Sequence, residues 1–108
     1  MNDEIEPSVV WVVDNSQGKT IKDAARFGEI EHVFTNTIYD DPVAHAREAL
    51  KDFQEGDYLC MIGDPKLSAV CVGVLAQNSP GHEIKLLQFD SRTFQYFAVY
   101  LNLSLIHI

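Results

Sequence analysis

The sequence predicts an α/β fold, and three observations carry that expectation. Short apolar runs rich in Val and Ile recur along the chain, segments with helix-cap signals stand between them, and the last two runs are joined by a tight polar turn. Brief, continuously apolar runs suit strands buried on both faces of a parallel sheet. Helical segments between them supply the crossovers that parallel strands need. A length of 108 residues suits one core and leaves no room for a second domain.

The elements follow in order. "SVVWVVD" (8–14) is the first strand, and "KTIKDAARFGE" (19–29) the first helix, with Thr20 and Asp23 at capping-box spacing and Gly28 as the stop. "EHVFT" (31–35) is a short second strand. "DPVAHAREALKDFQEG" (41–56) is the clearest helix: Asp41 caps it, Pro42 takes its first position, and Val43, Ala46, Leu50 and Phe53 build one apolar stripe. "DYLCMIG" (57–63) is a third, central strand. "DPKLSAVCVGVLAQN" (64–78) repeats the helix grammar with Asp64 and Pro65, but it is apolar nearly all round, which predicts burial on more than one side. "EIKLLQF" (83–89), the turn "DSRT" (90–93) and "FQYFAVYL" (94–101) complete the chain as a fourth strand and a fifth running back antiparallel. The expected architecture is a small Rossmann-like or flavodoxin-like sandwich, mostly parallel with an antiparallel C-terminal hairpin strand. Residues 1–7 are expected to be a disordered tail and residues 8–102 a single domain.

Composition removes several function classes. Sixteen acidic against eight basic residues give a net charge of -8, which disfavours nucleic acid, since phosphate backbones bind through clustered Lys and Arg. Apolar runs fall far short of a membrane span of ~20 residues, and "MNDEIEP" is acidic where a targeting peptide is basic, so a cytoplasmic protein is expected. Cys60 and Cys71 match neither a metal knuckle nor a redox pair and read as buried free thiols. The four His are scattered without zinc-site spacing, so neither a metal nor a cofactor is assigned.

"VVDNS" (12–16), "AARFGE" (24–29), "DYLCMIG", the apolar helix after it and "KLLQF" (85–89) together resemble a family of short tailed-bacteriophage proteins with a Rossmann-like fold. The likeness spans residues 9–102, with one departure: members carry a Lys where this chain has Asn15. The resemblance implies a phage accessory protein in the host cytoplasm, and it implies no reaction. The last six residues, "LSLIHI" (103–108), resemble the translation of a transposon-end sequencing adapter, which predicts a non-native tail.

Candidate site residues come from position rather than motif. "NSQGKT" (15–20) fits the end of a phosphate-binding loop, but Val13 stands where the loop's first Gly belongs, so the segment reads as a loop-to-helix junction with an exposed Lys19. In an open parallel sheet of order 2-1-3-4, ligands sit beyond the C-terminal strand ends where the order reverses, between the first and third strands. The expected ligand-binding residues are therefore Asp14, Asn15, Ser16, Lys19, Gly63 and Asp64. Asp64 as a helix cap disfavours a phosphate there and suits a ribose hydroxyl. No nucleophile, base and oxyanion site come together, so no catalytic residue is assigned.

The first expected function is binding, or sequestration, of a small nucleotide-like ligand such as a host immune signal. The second is inhibition of a host enzyme through an acidic surface around Glu48, Asp52, Glu55 and Asp57, and the third is hydrolysis assisted by Asp14 and Asp64. The apolar helix and a last strand aromatic on both faces (Phe94, Tyr96, Phe97, Tyr100) predict a homodimer or higher even oligomer joined through one of them.

Overall fold

A computed structural model describes residues 8–14, 21–35, 39–78 and 83–102. The expected tails at 1–7 and 103–108, and the candidate residues Asn15, Ser16 and Lys19, lie outside the described residues. Five strands form one sheet: β1 (Val9–Asp14), β2 (Glu29–Phe34), β3 (Tyr58–Cys60), β4 (Glu83–Asp90) and β5 (Gln95–Asn102). Their order is β2-β1-β3-β4-β5, with β1, β2, β3 and β4 mutually parallel and β5 antiparallel to β4. No helix among the described residues is long and apolar enough to cross a membrane.

Alternation along the strands splits the apolar residues between the two faces of the sheet. On one face Trp11, Val13, Leu59, Ile84 and Leu86 pack against α1 (Pro42–Ala49) and α2 (Pro65–Asn78) through Ala46, Leu50, Cys71, Val74 and Leu75. On the other, Val10, Val12, Cys60, Leu87 and Tyr96 pack with Ala24 of a short 3-10 helix (Asp23–Phe27) and with Ile62. Each fully buried Val or Leu contributes about 1.5–3 kcal/mol relative to exposure. Both α-helices start as their caps predict: Ala44 N–H donates to Asp41 Oδ1 at 3.1 Å, and Lys66 N–H to Asp64 Oδ1 at 2.9 Å.

Three elements depart from expectation. The first helix shrinks to the five-residue 3-10 helix, because β2 starts at Glu29, whose N–H donates to Ser8 O at 3.0 Å. Gly28 makes that approach possible, since a Cβ there would stand 2.3 Å from Ser8 O. Asp23 does not cap this helix. Its carboxylate accepts the Tyr96 N–H of β5 at 2.7 Å and pairs with Arg26 at 3.1 Å. That Tyr96 N–H, and after it Arg26, hold the Asp23 carboxyl below its usual value.

The third strand is shorter than the expected segment 57–63, spanning Tyr58–Cys60. Asp57 leaves the ladder to collect side-chain hydrogen bonds, and at the other end Ile62 N–H turns back onto Cys60 O at 3.2 Å. Finally, Phe94 belongs to the turn rather than to β5: its φ is 56° and its N–H closes the loop on Asp90 O at 2.8 Å.

The apolar α2 is covered within the chain. Its large side chains face the sheet and α1, while Ala69 and Gly73 occupy its exposed side.

Candidate functional site

The reversal of strand order brings the C-terminal ends of β1 and β3 side by side, as the sequence reading expects. β1 ends at Asp14, which is buried and lies across from Phe34 of β2 in the ladder. Behind β3 the chain turns at Gly63, whose φ of +94° is a left-handed value that glycine adopts without strain. A Cβ at Gly63 would lie 2.2 Å from Asp14 O and 2.7 Å from Asp14 Cβ. The space freed by this glycine is therefore taken up by Asp14.

Asp14 and Asp64 are brought together here. Asp64 N–H donates to Asp14 Oδ2 at 3.3 Å, a long bond. Asp64 itself caps α2, its carboxylate taking the Lys66 N–H and its carbonyl the N–H groups of Leu67 and Ser68 at 3.0 and 3.2 Å. Two carboxylates thus stand at the start of α2, where an open helix end would present free amides to an anion. The arrangement is rich in acceptors and suits hydroxyl or amino donors better than phosphate oxygens. Among the described residues no group of three or more His, Cys, Asp or Glu gathers to hold a metal.

Beside Asp14, on the β2 side, lies a cluster that the sequence reading did not single out. Phe34, Tyr39 and His45 pack together, Phe34 edge-on to Tyr39 and the other pairs tilted, with Tyr39 and His45 ring centroids 4.1 Å apart and Phe34 about 5 Å from each. His45 Nε2 bonds the Val33 carbonyl; a carbonyl only accepts, so Nε2 carries the proton. The Tyr39 hydroxyl accepts from Thr35 N–H at 3.1 Å and lies 3.0 Å from Thr35 Oγ1. Tyr39 and His45 are six residues apart and meet only once α1 has turned back over the end of β2, so neither spacing nor motif announces them.

A separate open concavity of about 490 Å³ lies between the 3-10 helix and the β4–β5 hairpin, lined by Arg26, Phe27, Asp90, Thr93, Gln95 and Phe97 among others. It contains none of the candidate residues. Its Arg26 is spent on Asp23 and on the Tyr96 carbonyl, which accepts from Nη2 at 2.6 Å.

Asp57 is the other buried acid, and it does not belong to an acidic surface. Its two oxygens accept Val9 N–H, Trp11 Nε1–H and Gln54 N–H, each at 3.0 Å. Glu48, Asp52 and Glu55 are exposed, Glu48 in an ion pair with Lys51 at 2.6 Å. Cys60 and Cys71 are free and fully buried, and burial pushes each thiol up to about 12.

The fold and site together define a small mixed α/β protein, its sheet mostly parallel, with an acidic crevice at the C-terminal ends of its central strands. Residues 9–103 match the phage Pam3 gp32-like protein family, and the chain belongs to that family. No curated protein and no solved structure matches the chain.

Proposed function

We propose that this phage-family protein is an accessory factor that works by binding, taking a small nucleotide-like ligand at the crevice between β1 and β3. A host immune signal is the concrete ligand class, and sequestration its use. The observation that carries the reading is the convergence of Asp14 and Asp64 where the strand order reverses. Taken as Rossmann-like, such a sheet binds its ligands at that point. The two carboxylates match ribose hydroxyls and exocyclic amino groups, and the half-buried Tyr39 and His45 rings near the end of β2 would be the aromatic neighbours of a base. Calorimetry against a panel of cyclic and ADP-ribose-type nucleotides tests it. Micromolar binding to one member, weakened at least about tenfold (~1.4 kcal/mol) by Asp14→Asn, is expected. No heat at high micromolar concentration across the panel would overturn it. Ligand recovered intact after long incubation would separate binding from hydrolysis assisted by the same two acids.

A second reading rests on exposed charge. Glu48, Asp52 and Glu55 are exposed while Asp57 is buried, and exposed acids close in sequence suit a basic site on a host enzyme. Capture from host lysate that weakens as salt rises supports this reading, because steered charge interfaces are screened. Capture indifferent to salt would count against it.

A further inference from the structure

The two edges of the sheet are built differently. β2 exposes Glu29, Glu31 and His32, the charged pattern by which edge strands avoid pairing with other chains. β5 is also an edge, with β4 its one neighbour, and carries no charged residue over Gln95–Asn102. Three of its side chains are large, apolar or aromatic, and exposed: Phe97 at 44%, Val99 at 37% and Tyr100 at 55%.

Hydrogen bonding shows which backbone groups face outward. In an antiparallel pair, residues alternate between those that bond the partner strand and those that point away. Tyr96 points away, because its N–H goes to Asp23 and its C=O to Arg26. The register with β4 runs without a bulge from Gln95 to Asn102, so Ala98 and Tyr100 point the same way as Tyr96. Asp23 and Arg26 occupy the first outward position, and nothing equivalent among the described residues covers the next two.

We infer that this edge pairs antiparallel with β5 of a second copy, on a two-fold axis at Val99. Ala98 then bonds Tyr100 of the second copy, and Tyr100 its Ala98, using the outward groups on both sides. The pairing ends at Tyr96, where Asp23 and Arg26 already hold the backbone. On the helix-bearing face Val99 meets its own mate and Phe97 meets Leu101, an unbroken apolar row across the junction. Charge selects this occupant. Two chains of net charge -8 repel over most of their surfaces, whereas β5 against β5 sets uncharged residue against uncharged residue throughout. The inference is independent of the ligand reading.

Sedimentation velocity of the full chain over roughly 1 to several hundred micromolar is the test. A species of twice the 12.2 kDa chain mass is expected. Val99→Lys places two like charges together on the axis and should weaken dimerisation at least about tenfold, while Ala69→Lys on the outer side of α2 should leave it unchanged. Circular dichroism confirms that each variant is folded; should Val99→Lys unfold, the more exposed Tyr100→Glu replaces it. A wild-type monomer at every concentration, or a dimer broken by Ala69→Lys and not by the β5 variants, would overturn the inference.

Discussion

At the N-terminal end of the parallel strands, Asp57 is buried with three N–H donors at 3.0 Å on its two oxygens; at the C-terminal end, Asp14 is buried to the same degree but receives the Asp64 N–H at 3.3 Å. The first arrangement ties β1, the Trp11 indole and the turn before β3 into one knot. The second sets Asp14 beside another carboxylate, that of Asp64. The two acids are therefore alike in burial and differ in surroundings. Asp57 is enclosed by three N–H donors and gains little by taking new ones, whereas Asp14 stands beside a second carboxylate where the strand order reverses.

The largest effect should come from breaking the tight end. Asp57→Ala leaves three N–H groups, including the buried indole, without their acceptor, and should cost about 3–5 kcal/mol in urea unfolding. Asp57→Asn keeps one acceptor oxygen and should cost about half as much. Next comes the turn at the C-terminal end. Gly63→Ala drives a Cβ into Asp14 O and requires a left-handed alanine, so a loss of about 2–3 kcal/mol is expected, with nucleotide binding abolished if the crevice is the site.

Asp14→Asn is nearly isosteric and keeps an acceptor oxygen for the Asp64 N–H, so it should cost about 1 kcal/mol in stability while binding falls. A cost equal to that of Asp57→Ala would remove the distinction between the two ends. The thiols report on both ends from between them, Cys60 on one face and Cys71 on the other. With each held up at about 12, neither should react with a disulfide reagent at pH 8 until the chain opens. Asp57→Ala should speed that reaction far more than Asp14→Asn.

The smallest expected effect lies away from either end, at Asp23. Its carboxyl is held below the usual 3.8 by the Tyr96 N–H first and Arg26 second. The anchoring of β5 is therefore fully present above that value and lost as pH falls through the lower folded one. Hydrogen-exchange protection of the Tyr96 amide, corrected for intrinsic rate, should decline over that acid range in the wild type and stay flat in Asp23→Asn.

Much of this molecule was legible in advance. The strand order, the antiparallel last strand and both α-helices follow from local chemistry, since Asp-Pro starts and apolar periodicity act within a few residues. The same applies to the meeting of Asp14 with Asp64, because strand ends and a reversal point follow from the order of elements. The residues misread are those whose partners lie far away. Asp57 looked like part of an acidic surface, yet its carboxylate is committed to residues 48 and 46 positions earlier. Asp23 looked like a helix cap, yet it holds a backbone amide 73 positions later.

The sequence by itself determined the existence of five strands and of both α-helices, though not every boundary, because propensity, capping and apolar periodicity are local. Only the tertiary structure decided which donors meet Asp57 and Asp23, and which of the two edge strands is uncharged. Those outcomes depend on the donors that arrive from elsewhere in the chain, and a hydrogen bond across 73 positions leaves no periodic trace in the residues that make it.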